Sequence, residues 1–417
     1  MFSVLRLVLK RAVVKGDLVV IDPAGRAFTF GDGSPPHVTV RITDRAAERA
    51  IAFDPKLALG EAYMRGTLTI ERGNAYDFIA LLMESLEATP FSKGVNGLDP
   101  MRMVARRIAQ FNPAWRSRRN VRHHYDIDGS IYDLFLDSDR QYSCGYFTPG
   151  ADLEEAQLAK KRHLAAKLAV EPGHKVLDIG SGWGGLALYL AKICDANVTG
   201  ITLSDQQHAI ASRRAAAEGL ESRVEFRIED YRHLKEQFDR IVSVGMFEHV
   251  GVNHFQTYFN SIARQLKNDG VALVHSIGRT DGPGFTNPFI ARYIFPGGYF
   301  PALSEVLPAV ERAGLIVSDV ETLRLHYAET LKAWRERFMA QRDRAVDLKD
   351  EEFARMWEFY LAGSEAGFRH QGLVVFQLQL VKRVDALPIT RDYITAAERR
   401  LALKEAGLGQ THRMAGE

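Results

Sequence analysis

Three runs near the start of the chain, Leu18–Ile21, Ala27–Phe30 and His37–Ile42, are rich in β-branched and aromatic residues. Asp22-Pro23-Ala24-Gly25 separates the first two, so they read as short strands joined by a turn. Asp54-Pro55 opens a helix through about Tyr63, with proline in its first turn. Leu68-Thr69-Ile70 reads as a further strand, and helical spacing runs from about Asn74 to Glu87. These elements predict a small α+β domain over residues 1–95. From about residue 150 the pattern changes. Asp152 with Glu155 three positions on is a capping-box-like start, and the helix it opens stops at Glu171-Pro172-Gly173. Apolar runs then recur at Lys175–Ile179, Asn197–Leu203, Val224–Ile228, Arg240–Val244 and Val271–Ile277, with helical segments between, and Leu373–Val381 reads as one more strand. This alternation predicts an α/β fold with a doubly wound, mostly parallel sheet over residues 126–395. Residues 396–417 read as a polar C-terminal tail.

Composition adds little to that picture, but the placement of charge does. The chain is 46% hydrophobic and 25% charged, ordinary for a globular protein. No uncharged apolar run reaches the ~18 residues a membrane span needs, so any membrane contact is expected to be peripheral. The apolar start, Met1 to Lys10, is broken by Arg6 and is short for a signal peptide. Cys144 and Cys194 form neither a CxxC pair nor a metal-ligand cluster, which fits a reducing cytoplasm and no metal. The net charge of +2 hides an asymmetry: residues 1–125 carry 19 basic and 12 acidic side chains. Within a connector over residues 96–125, no acid follows Asp99, while Arg102, Arg106, Arg107, Arg116, Arg118, Arg119 and Arg122 alternate with Phe111 and Trp115. Basic residues interleaved with aromatics suit an anionic membrane surface. A linker whose arginines pair with acids elsewhere is the second reading. Nucleic acid fits the charge, but no nucleic-acid module motif is present.

The chemistry-bearing motifs sit at strand ends. The first strand of the large sheet runs into Asp178-Ile179-Gly180-Ser181-Gly182-Trp183-Gly184-Gly185, where glycines let the backbone approach a ligand. The spacing also satisfies GxGxxG, so a nicotinamide enzyme stays open on this motif alone. Against it, the second strand ends Gly200-Ile201-Thr202-Leu203-Ser204 without the acid that would hold a ribose. Asp230-Tyr231 after the third strand supplies an acid and an aromatic for an adenine. Glu248, in Gly245-Met246-Phe247-Glu248-His249-Val250-Gly251, lies where a strand-end carboxylate faces the ligand crevice. His275 interrupts an otherwise buried strand; such a histidine is more often a core residue, but it lies beside Glu248 in this topology.

The chain resembles the cyclopropane-fatty-acyl-phospholipid synthase family through Tyr142-Ser143-Cys144-Gly145-Tyr146-Phe147, the glycine turn, Gly200–Ser204, Val244–Gly251, Tyr293-Ile294-Phe295-Pro296-Gly297-Gly298, His326-Tyr327 and Trp334. It departs at Ser181, where many members have cysteine, and at Gly145, often alanine. The resemblance implies a seven-stranded Rossmann-like methyltransferase sheet behind a small lipid-associated N-terminal domain. It implies S-adenosyl-L-methionine as cofactor, held by Tyr142, Ser143, Asp178, Gly180, Gly182, Thr202, Leu203, Gln207, Asp230 and Tyr231. It implies a bound bicarbonate base at Cys144, Glu248, His275, Ile277 and Tyr327. The implied reaction closes a cyclopropane across a cis double bond of an unsaturated phospholipid, at an anionic membrane surface reached from the cytoplasm; a homodimer is compatible. A carbocation in that reaction needs aromatic faces, for which Tyr293, Phe295, Tyr299, Phe300, Trp334, Phe338 and Phe368 are candidates, most of them more readily read as core. A methyl-branched or methylene product is the nearest alternative. An inactive lipid-binding version of the fold is the more distant one.

Overall fold

The computed structural model describes residues 2–87, 99–110 and 129–414. Strands β1 (Asp17–Ile21), β2 (Ala27–Gly31), β3 (His37–Ile42) and β4 (Leu68–Arg72) form a small sheet in the order β2-β1-β3-β4. Leu18, Val20, Val38, Val40 and Ile42 are buried and alternate with more exposed neighbours, as a sheet with one covered face requires. Helices Arg45–Phe53, Pro55–Met64 and Ala75–Glu87 share its core. Asp44 starts the first by accepting from the N–H groups of Ala46 and Ala47, and Pro55 occupies the first turn of the second. The core of this sheet is completed from far along the chain, where Ala362 and Ala366 of helix Glu351–His370 are fully buried in it. The Tyr293 hydroxyl donates to Glu61 at 2.8 Å, a second tie between the N-terminal unit and the rest.

The second sheet holds β5 (Lys175–Ile179), β6 (Asn197–Thr202), β7 (Val224–Ile228), β8 (Phe238–Val244), β9 (Leu266–Arg279), β10 (Ile316–Thr322) and β11 (Leu373–Val381) in the order β10-β11-β9-β8-β5-β6-β7. The five strands β5 to β9 are parallel; β10 and β11 join antiparallel. Val176, Leu177, Asp178 and Ile179 of β5 are all buried, which explains why the strand reads as a run rather than an alternation. Successive strands step outward from β5 to β7, and the chain then returns to lay β8 on the other side of β5. Ligands bind at such a reversal, outside the carboxyl ends of the strands.

Four segments differ from the sequence expectation. The sheet has the seven strands that the resemblance implies, but the sequence pattern does not locate β10. It is an edge strand with Ile316 and Val320 exposed and Ser318, Asp319 and Glu321 interleaved, so its pattern carries little apolar signal. β9 begins at Leu266 rather than Val271, through Lys267-Asn268-Asp269-Gly270, which reads as a turn. The connector contains a helix, Asp99–Ala109, in which Arg102 pairs with Asp54 at 2.5 Å and Arg106 with Glu305 at 3.1 Å. Those two arginines are spent on internal acids, while Met101 and Val104 face outward at 67% and 82% exposure. The Arg107 side chain, Phe111, Trp115, Arg116, Arg118, Arg119 and Arg122 lie outside the described residues. Finally, the segment expected as a polar tail is helix Asp392–Met414, with Ile394, Ala397 and Leu401 buried and Glu405 accepting from Arg162 and Tyr189. Three apolar residues at helical spacing were hidden among its charges. Among the described residues, no helix is long and apolar enough to cross a membrane.

Candidate active site

Two adjoining cavities open at the reversal between β5 and β8. The larger, about 160 Å³, is lined by Tyr142, Ser143, Asp178, Gly180, Gly182, Thr202, Leu203, Gln207, Asp230 and Tyr231, all ten residues that the resemblance assigns to a cofactor. Gly182 has φ +55°, and nothing stands within 4 Å of the place a Cβ would take, so this turn leaves open space against the backbone. The next strand end is fixed by its own side chains. Ser204 caps helix Asp205–Ala217 by accepting from the Gln207 N–H, and Thr202 donates to the Gln207 side-chain oxygen at 2.9 Å. Asp230 is buried, yet bidentate Arg232 keeps its carboxyl below the ordinary range. Asp178 is different. Burial pushes its pKa up to about 7, and its Oδ2 has no hydrogen-bond partner. An orphaned buried carboxylate oxygen in a cavity wall fits a cationic ligand group.

The smaller cavity, about 40 Å³, is lined by Cys144, Glu248, His275, Ile277 and Tyr327, together with Phe295 and Phe300. Parallel pairing sets Val244 of β8 opposite His275 of β9, and the short turn at Phe247–His249 brings Glu248 back over that strand. Glu248 Oε1 accepts the Ile277 N–H at 2.6 Å, while Oε2 is buried without a partner. Burial raises the Glu248 pKa to about 7 and lowers that of His275 to about 3, so the histidine is neutral. Gln377 Nε2 lies 3.2 Å from His275 Nδ1; donation there leaves the ring proton on Nε2. Cys144 donates to the Gly145 carbonyl, and burial raises its pKa well beyond the physiological range, so it is a thiol and no nucleophile.

The proposed aromatics separate cleanly. Phe295 and Phe300 line the small cavity. Trp334 and Phe338 are fully buried in the core, Phe368 packs on Tyr327 at 4.8 Å, Tyr293 is tied to Glu61, and Tyr299 donates to Glu305 at 2.5 Å. The two cavities share Tyr142, Ser143, Gly245 and His249 as a common wall. Two wall residues escaped sequence reasoning. His249 follows Glu248 directly, and burial holds its pKa at about 4. Lys160 lies in Ala159-Lys160-Lys161-Arg162, a charge run that reads as a solvated helix face, yet it is 1% exposed.

Comparison with known proteins agrees with this geometry. Residues 15–91 match a domain of unknown function. The cyclopropane-fatty-acyl-phospholipid synthase of Escherichia coli (strain K12) is 35% identical over 86% of this chain and 92% of its own length. The tuberculostearic acid methyltransferase UfaA1 of Mycobacterium tuberculosis is 34% identical over 90% of both chains. The crystal structure of mycolic acid cyclopropane synthase CmaA1, complexed with SAH and CTAB, superposes with a TM-score of 0.60 at 32% identity, covering 65% of this chain and 99% of that one. Residues 113–378 match the family Mycolic acid cyclopropane synthetase; the chain belongs to that family and is an S-adenosylmethionine-dependent methyltransferase.

Proposed function

We propose that this enzyme methylates the cis double bond of an unsaturated phospholipid acyl chain and closes it to a cyclopropane, with bicarbonate as the base. The observation that supports this reading is the common wall of the two cavities, which sets the larger one against a small, mostly apolar chamber lined also by Glu248 and His275. At about 40 Å³ the chamber has room for roughly three water-sized groups of ~10–15 Å³ each, the scale of a small anion. Its polar groups suit a hydrogen-bonded oxyanion that carries one proton. Glu248 Oε2 is available to accept an O–H, and His275 Nε2–H is available to donate.

When bound, S-adenosylmethionine supplies the electrophilic methyl, and bicarbonate supplies the base that takes a proton from that methyl as the ring closes. The residues provide placement and shielding. Tyr142, Ser143, Gly245 and His249, which line both cavities, would hold the cofactor's reactive end against the entering alkene and set the distance between them. Phe295 and Phe300 present apolar faces that tolerate the transient positive charge on the second alkene carbon without bonding to it. Glu248 and His275 hold the base in position, help of a kind typically worth ~10²–10⁴-fold.

On this reading residues 1–95 form a lipid-associated domain, and the enzyme works at an anionic membrane surface from the cytoplasm. The outward Met101 and Val104 beside the arginine-rich segment support that placement. The test is incubation with unsaturated phospholipid vesicles and methyl-labelled S-adenosylmethionine, followed by mass spectrometry of the acyl chains. The expected product has gained one methylene and lost its alkene. Gain of a methyl and a hydrogen would instead make this a branching enzyme, and unlabelled lipid would defeat the lipid assignment.

A further inference from the structure

Lys160 is a buried cation that the chemistry above does not use. It sits in helix Leu153–Lys167, and its ammonium donates to Gln141 Oε1 at 2.7 Å and to Ser143 Oγ at 2.8 Å. Among the described residues no ion pair engages it, although Asp178, which lines the same cavity, is equally buried. The Gln141 amide is committed to Asp139 on its other side, where Nε2 donates to Oδ2 at 3.0 Å. Burial draws the Lys160 pKa down to about 8, which leaves the group charged at neutral pH.

The bond to Ser143 has a directional consequence. A serine hydroxyl has one proton and two lone pairs. With a lone pair facing the ammonium, its proton turns away from Lys160, and Ser143 lines both cavities. A charged donor behind a hydroxyl also polarises it, so Ser143 becomes a stronger donor than a free serine. Ser143 and the orphaned Asp178 Oδ2 thus present an oriented donor and an anionic acceptor to one cavity. That pair of features complements a zwitterion.

We infer that Lys160 is a positioning residue that, through the Ser143 hydroxyl, recognises the α-carboxylate of the cofactor's amino-acid end, with Asp178 facing the α-ammonium. The inference rests on the larger cavity being the S-adenosylmethionine seat. Two probes separate the ends of the ligand: S-adenosylhomocysteine carries the amino-acid end, and 5′-methylthioadenosine lacks it. Calorimetry on the parent, Lys160→Met, Ser143→Ala and the double variant is the experiment, with thermal melts on each preparation.

Lys160→Met is expected to weaken S-adenosylhomocysteine by roughly 10–100-fold, the scale of a hydrogen bond to a charged group, and to leave 5′-methylthioadenosine unchanged. Ser143→Ala should lose the same selectivity, and the double variant should lose little more than either alone. Ser143→Ala keeps the buried ammonium in place, so it decides the matter if Lys160→Met does not fold. Equal weakening of both ligands, or of neither, would overturn the inference and leave Lys160 as loop support. A parent that binds neither ligand would defeat the cofactor seat itself, which is a different result.

Discussion

Glu248 and Ile277 are joined by a 2.6 Å hydrogen bond from the Ile277 N–H to Glu248 Oε1, and this bond leaves the second carboxylate oxygen buried and unpartnered. A group held this way is costly to ionise and useful once something accepts from or donates to its free oxygen. Glu248→Gln keeps the size and the acceptor for Ile277 but removes the carboxylate. Cofactor affinity is expected to stay the same while turnover falls ~10²-fold or more, the usual scale for lost acid–base assistance. A fall in affinity equal to the fall in rate would move Glu248 out of the chemistry.

The same variant has a signature in stability. The Glu248 pKa rises from 4.5 to about 7 in the fold because burial disfavours the charged form. An acid whose folded pKa is raised contributes stability that is complete below its ordinary value and lost as pH climbs through the folded value. The loss is on the order of 2–4 kcal/mol for a shift of this size. Glu248→Gln escapes it, so the variant should melt a few degrees above the parent at pH 8, with the difference closing by pH 5. A variant that melts lower at both pH values would show that the carboxylate is structural.

How far the sequence reaches is visible in these residues. Glu248, His275 and the glycine turn were legible because strand-end position and topology follow from the βαβ alternation, and the ten residues that line the larger cavity together were picked out through family motifs. Lys160 was not. A lysine flanked by Lys161 and Arg162 looks solvated until the fold places Gln141 and Ser143 against it. β10 was missed because an exposed edge strand needs few apolar residues, and the buried stripe of helix Asp392–Met414 because Ile394, Ala397 and Leu401 are diluted by charge. Tertiary partners, rather than local pattern, decide each of these cases.

Removing dissolved carbon dioxide tests the base directly. Turnover of the parent should drop when the buffer is stripped and recover when bicarbonate is returned. Glu248→Gln should respond much less, since its chamber no longer offers a carboxylate to the base. Turnover that is indifferent to stripping would mean that Glu248 or water takes the proton.

Gly182→Val addresses the cofactor seat by sterics. At φ +55° a β-branched residue is strained, and its side chain would project where nothing now stands within 4 Å. S-adenosylhomocysteine binding should vanish by calorimetry while the circular dichroism spectrum stays that of the parent. Retained affinity would place the cofactor elsewhere.

The arginines of the connector divide into two groups with opposite expected behaviour. Arg102 and Arg106 are held by Asp54 and Glu305, whose carboxylates are mostly buried. Changing either arginine to Gln leaves a mostly buried acid without its cation, so melting temperature should fall and vesicle binding should not change. Arg116, Arg118 and Arg119 have no acidic neighbour in sequence between Asp99 and Asp126. At ~1 kcal/mol for each basic residue near an anionic surface, replacing all three with Gln should weaken binding to anionic vesicles by roughly two orders of magnitude and flatten its salt dependence. Melting temperature should be unaffected. Co-sedimentation across a salt series, alongside melts of the same preparations, separates the groups. If the triple variant sediments like the parent at every salt concentration, these arginines are linker charges, and the outward face bearing Met101 and Val104 would have to reach the membrane without them.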